Sequence, residues 1–206
     1  GVQSAQAALI AEELDIDVEQ ATLTFGQPSA AYYNTAFAEE GVPFMSFDDG
    51  SVAETMRDVV GGVLKLVGLQ GTGGSTSVPD QYEKLRMAGA VARETIKAAA
   101  SQRTGIPVGQ LKTAHGAVAF PDGTTIAYTD LAAEAAQIAP VNNVSLRDPS
   151  TWGKVGKPMM RTDTLAKSTG TQSFGIDVEA EGLVHASVRA NPRKGGARVS
   201  FDATDA

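Results

Sequence analysis

The stretch DQYEKLRMAGAVARETIKAAASQR, residues 80–103, is the longest helical pattern in the chain, and what it packs against decides the fold. Tyr82, Leu85, Gly89, Ala92, Ile96 and Ala99 recur at steps of three and four, so they line one helical face. Gly89, Ala92 and Ala99 are small, which requires a partner that approaches closely. Gly105 and Pro107 end the helix. Asp80 and Glu83 stand at capping-box spacing, predicting a start at Asp80.

Upstream, VQSAQAALIAEEL (2–14) also reads as helix, ending at Asp15, and ATLTF (21–25) alternates as a strand does. An irregular segment follows, broken by Pro28, and Gly41 and Pro43 mark a loop. SVAETMRDVVGGVLKLV (51–67) predicts a second helix with Ser51 and Glu54 as its capping box, weakened in the middle by Gly61 and Gly62. Between the helices lies GLQGTGGSTS (68–77), which is rich in glycine and hydroxyl side chains and carries no charge.

Downstream the texture changes. LKTAHGAVAFPDGTTIAY (111–128) predicts short strands, with an Asp122–Gly123 turn and His115 as a surface turn residue. YTDLAAEAAQIA (128–139) predicts a helix capped by Thr129, and a segment rich in Pro, Gly and Asn reads as a linker. FGIDV (174–178), GLVHASVRA (182–190) and ARVSF (197–201) alternate as strands. The class is therefore α+β: residues 1–140 with helices on a mixed or antiparallel sheet, a linker at 141–160, and the beginning of a β-rich domain at 161–206. The chain starts at Gly1 directly before a helix and stops just after a strand-like alternation, so it is expected to be a fragment of a longer polypeptide.

The 206 residues are 42% hydrophobic and 20% charged, ordinary globular values. A net charge of −7 argues against a nucleic-acid partner, which requires a basic stripe. It leaves room for a phosphate-bearing small molecule, since backbone amides bind anions without side-chain charge. With no cysteine there is no disulfide, thiolate metal site or cysteine nucleophile. No apolar run approaches the roughly 20 residues that span a bilayer. The two histidines, His115 and His185, are far apart, and no Ser-His-Asp constellation assembles. Phe47-Asp48-Asp49 reads as a solvated acidic loop rather than a cation site. Arg57 and Asp58, and likewise Lys84 and Arg86, read as exposed helix faces.

The glycine run matches neither common phosphate motif. The Walker pattern needs a lysine where Gly74 follows Gly73, and G-x-G-x-x-G from Gly71 meets Thr76 at its last place. Two readings stand on the residues: a turn between helices, or a surface of backbone N–H groups and neutral hydroxyls that meets a polar, anionic ligand.

Three blocks in matching order, GVQSAQAALIAEELDIDVEQATLTFG (1–26), LQGTGGSTSVPDQYEKLRMAGAVARETIKAAA (69–100) and VGKPMMRTDTLAKSTGTQSFGIDVEAEGLVHASVRANP (155–192), resemble the molybdopterin-binding large subunit of the xanthine oxidase/aldehyde oxidase family, in its isoquinoline 1-oxidoreductase β-subunit branch. The resemblance implies that residues 1–140 are a portion of the molybdopterin-binding domain and that 161–206 begin a hammerhead-like β-rich domain. By it, Gly1 matches the last glycine of a Gly-Gln-Gly segment. Gly73, Gly74, Ser75, Thr76 and Ser77 match a stretch that approaches molybdopterin cytosine dinucleotide with its molybdenum. It further implies oxidative hydroxylation of N-heterocycles or aldehydes with water as the oxygen source, and electron transfer to a small [2Fe-2S] subunit and, in some members, a cytochrome c. A periplasmic or membrane-associated location is the expectation, with the cytoplasm as the alternative. The family's catalytic glutamate lies in a Gly-x-Gly-Glu segment that does not occur here, so no catalytic residue and no metal ligand is assigned, and the fragment alone is expected to be inactive. Two rival functions are a non-catalytic scaffold domain and a self-contained phosphate- or nucleotide-binding module.

Overall fold

The computed structural model describes residues 1–202 and 204, apart from Phe25, Pro28, Ser46 and Leu69. It divides into two units, Gly1–Thr164 and Leu165–Ala206.

The first unit is organised around two helices, α1 (Val2–Leu14) and α4 (Ser77–Thr104). Gly89 of α4 lies against Ile10, Glu13 and Leu14 of α1, and its missing side chain lets the two backbones approach. A Cβ on Gly89 would lie 2.7 Å from the Ile10 carbonyl oxygen and 2.9 Å from Glu13 Cβ. The close packing expected of the small face is present. Asp15 closes α1 in the left-handed conformation (φ 64°), and Gly105 closes α4 (φ 75°).

The helix starts differ from the capping patterns. Between α1 and α4 lie a single turn, α2 (Ala36–Glu39), and α3 (Ser51–Val67). The bounds of α3 are those expected, but Gly50 is its N-cap and Ser51 is already its first residue. Similarly, α4 begins at Ser77, three residues before Asp80. The Asp80 carboxylate is taken up instead by a remote residue, through the Thr35 N–H at 2.8 Å and the Thr35 hydroxyl at 3.0 Å, and by Lys84 one turn along the helix at 2.8 Å. Gly61 serves packing, since a Cβ there would press on Thr35 and the Glu39 carboxylate. Along the outer side of α3, Val52, Met56, Val59, Val63 and Leu66 are exposed. Residues 21–24 form no ladder, and the last residue of the strand expected there, Phe25, lies outside the described residues.

Strands β1 (Lys112–Ala114), β2 (Ala117–Ala119) and β3 (Thr125–Ala127) form an antiparallel sheet in chain order. His115 and Gly116 (φ 48° and 78°) make the first tight turn, with both central residues at positive φ as such hairpins require. His115 is accordingly a surface turn residue. Gly123 (φ 86°) turns the second hairpin, where Asp122 accepts from the Thr124 N–H at 2.9 Å. Helix α5 (Tyr128–Ala135) follows with Ala127, not Thr129, at its N-cap. Val118, Phe120, Tyr128, Leu131, Leu111 and Ala100 form the core between sheet, α5 and the end of α4. The α+β class, helices packed on an antiparallel sheet, is the class observed.

Residues read as linker are tied down. Glu12 accepts from the N–H groups of Gly153 (3.0 Å), Lys154 (2.6 Å) and Val155 (2.9 Å). Its neighbour Glu13 accepts from the Arg147 N–H at 3.0 Å and pairs with Arg86 at 2.8 Å and Arg93 at 3.3 Å. Arg86 is therefore not on an exposed face: it is buried, and also donates to the Arg147 carbonyl at 2.9 Å and stacks on Trp152. Arg93 donates to the Ser145 carbonyl at 3.0 Å. Two guanidinium groups thus satisfy the carbonyls of an extended strap while two adjacent carboxylates satisfy its amides.

All of α6 (Thr164–Ser168) but its first residue belongs to the second unit, which also contains a short turn at Gly175–Asp177. Among its described residues no strand is formed over 174–178, 182–190 or 197–201, which corrects the expectation of strands there. Alternation favours extended chain, but a strand also needs a neighbour to take its backbone groups. Val184, Val188 and Val199 are almost fully exposed, so no such neighbour covers them.

Candidate functional site

A cleft of about 760 Å³ opens in the first unit. One wall is a face of α1 carrying Gln3, Gln6 and Ile10, and another is the start of α4, with Ser77, Gln81 and Leu85. Gln70, Gly71 and Thr72 come from the glycine-rich connection, Thr22, Leu23 and Thr24 from the extended segment, and Tyr32 and Asn34 from the approach to α2. Among its described lining residues none is Asp, Glu, Lys, Arg or His. Its polar character comes from neutral amides and hydroxyls, each able to donate. Two helices also begin at it, since Val2 and Ser77, the first residues of α1 and α4, both line it. Helix starts present unpaired N–H groups and a positive dipole end.

The six residues read from sequence as cofactor-facing are distributed unequally. Ser77 lines the cleft. Gly1 is the exposed N-cap of α1, next to the lining residues Val2 and Gln3. Gly73 and Gly74 meet α2 and the residue after it: a Cβ on Gly73 would stand 2.9 Å from the Phe37 ring, and one on Gly74 (φ 57°) would run into the Glu40 carboxylate. Ser75 is exposed at φ 66°. Thr76 is fully buried, its hydroxyl donating to the Gly73 carbonyl at 2.9 Å. The glycine run is thus one wall of a cleft on its Gln70–Thr72 side and a packing surface for α2 on its Gly73–Gly74 side.

Sequence reasoning missed the glutamines of α1 and α4 and missed Asn34. Gln3 and Gln6, with Gln81, were readable as polar interruptions of otherwise apolar helix faces, but nothing local says that those faces converge. Asp80 stands just behind the α4 start. Burial pushes its carboxyl upward, yet Lys84 and the Thr35 donors hold it below the ordinary value of 3.8. Among the described residues no cluster of three or more His, Asp or Glu suits a metal ion, Asp48 being occupied with the Gly50 N–H at 2.9 Å. No helix is long and apolar enough to cross a membrane among the described residues.

No family model matches the chain. It is 28% identical over 169 residues to the isoquinoline 1-oxidoreductase subunit beta of Brevundimonas diminuta, an alignment that covers 66% of this chain and 22% of that protein. The matched region therefore represents about a fifth of the relative's length.

Proposed function

We propose that residues 1–206 are a segment of the large subunit of a molybdenum hydroxylase, and that the cleft between α1 and α4 is the part of the cofactor site this segment supplies. The observation that carries the reading is the cleft's lining: two helix starts, neutral amides and hydroxyls, and no carboxylate among the described lining residues. That donor set fits molybdopterin cytosine dinucleotide, whose diphosphate and pterin present many acceptor atoms. Ser77, Gln3 and Gln81 would hold it from the helices, and Gly1 and the main chain at 70–72 from the loop side. When bound, the cofactor supplies oxidative hydroxylation of an N-heterocycle or aldehyde carbon with water as the oxygen source. The residues of this segment bind and orient the group and exclude water around it. Electrons pass to a small iron–sulfur subunit.

The test is metal and pterin analysis of the whole protein purified with its small subunit. Stoichiometric molybdenum and pterin are expected. Active whole protein without either would sink the reading. Replacing Ser77 with a bulky β-branched residue is expected to lower cofactor content more than melting temperature.

A further inference from the structure

Asn34 is buried, lines the cleft, and sits just before α2. Its amide donates to the Gly71 carbonyl at 2.8 Å and to the Thr76 hydroxyl at 3.0 Å, while its oxygen accepts the Phe37 N–H at 3.2 Å. These partners fix the orientation of the amide, because a backbone carbonyl can only accept and a backbone N–H can only donate. The Thr76 hydroxyl spends its one proton on the Gly73 carbonyl, so toward Asn34 it is an acceptor. Asn34 therefore controls two carbonyls of the run, Gly71 directly and Gly73 through Thr76.

In a planar trans peptide the carbonyl and the next N–H point in opposite directions. With the Gly71 and Gly73 oxygens drawn toward Asn34 and Thr76, the N–H groups of Thr72 and Gly74 face the other way. Neither N–H meets an acceptor among the described residues. Thr72 lines the cleft.

We infer that Asn34, with Thr76 as its second anchor, is a positioning residue: it sets the polarity of the cleft wall at Gly71–Thr72 by holding the Gly71 carbonyl and leaving the Thr72 N–H as a donor for an acceptor-rich ligand. This rests on the cofactor reading above. It also gives Thr76 a role other than ligand contact, since its hydroxyl is committed on both sides. Reversing the Gly71–Thr72 peptide would bring a carbonyl oxygen against the oxygens of a phosphate-bearing ligand, which is repulsive.

The experiment uses the whole protein purified with its small subunit, measuring pterin per large subunit and melting temperature together. Asn34→Asp removes both amide donors at constant shape, Thr76→Val removes the hydroxyl at constant volume, and Thr76→Ser restores it. Leu131→Ala, in the remote core, controls for lost stability alone. The expected result is a several-fold loss of pterin per large subunit in Asn34→Asp and Thr76→Val, following the roughly tenfold weaker binding that losing a hydrogen-bonded arrangement costs. Thr76→Ser should retain wild-type content, and Leu131→Ala should lower melting without lowering pterin content in folded protein. Wild-type pterin content in both donor-deleting variants overturns the inference alone, as does a loss no greater than that of Leu131→Ala at equal melting temperature. A wild-type protein without pterin overturns the functional reading and this inference with it.

Discussion

Arg86 donates from Nε to Glu13 Oε1 at 2.9 Å, an ion pair buried on both sides with 73 positions of sequence between its members. Arg93 and the Arg147 N–H share the same carboxylate. Removing the carboxylate leaves two guanidinium groups and an amide without their acceptor in a place water hardly reaches. Glu13→Ala should therefore cost about 3–5 kcal/mol of unfolding free energy, the range for breaking a buried pair from one side. Urea unfolding measures it, and a loss below about 1 kcal/mol would mean the pair behaves as a surface one.

Gly89 marks the closest approach of α1 and α4. Gly89→Ala improves helix propensity yet places a methyl group against backbone, which has little room to yield. The steric effect should win, with a net loss of about 1–3 kcal/mol. Gly62, in α3, has open space around its missing Cβ. Gly62→Ala should instead gain about 0.5–1 kcal/mol. Thermal unfolding of the two variants side by side checks the signs, and equal signs would refute the assignment.

The strap over α1 should respond to acid through Glu12. Burial pushes its carboxyl upward, but the N–H groups of Gly153, Val155 and Lys154, with the Lys154 charge, bring it below the usual 4.5. The ionised form is the one the fold prefers. Its stabilising contribution is thus complete above pH 4.5 and is lost as pH falls from there through the lower folded value. The stability gap between wild type and Glu12→Gln should be constant near neutrality and shrink as the solution is taken to about pH 3. A gap that widens in acid would contradict the sign.

Tyr128 provides the alkaline counterpart. Burial raises its phenol to about 12, and its hydroxyl donates to the Leu14 carbonyl at 2.9 Å. The neutral form stabilises the fold below the usual value of 10, and this contribution is lost as pH rises from there toward 12. Ultraviolet titration of wild type minus Tyr128→Phe should show one phenol ionising near 12. A difference curve centred near the usual 10 would contradict the burial.

Features that depend on neighbouring residues were legible in the sequence. The spans 2–14 and 51–67, the Gly105 stop, and the turns at His115–Gly116 and Asp122–Gly123 follow from periodicity and from backbone conformations that particular residues tolerate. The three N-caps were not legible: Ser51, Asp80 and Thr129 carry the right chemistry, yet Gly50, Thr76 and Ala127 stand at the caps. The Asp80 carboxylate is recruited by Thr35, 45 positions away. Arg86 looked like surface charge because its partner is equally remote. Extended segments such as 182–190 satisfy the alternation rule, but pairing is a property of two segments rather than one. The cleft was half legible: the glycine run announced a special backbone, but its polarity is governed by Asn34, for which no motif exists.

The uncharged lining of the cleft has a consequence for ionic strength. A phosphate site built on lysine or arginine loses affinity as salt screens its charges. On the proposed cofactor reading, the attraction would come from short-range donors, which screening barely reaches, while the net charge of −7 on these 206 residues works against an approaching anion from a distance. Added salt weakens the repulsion more than the grip. An anionic cofactor should therefore enter this cleft faster in moderate salt than in dilute buffer, the reverse of what a basic phosphate pocket does.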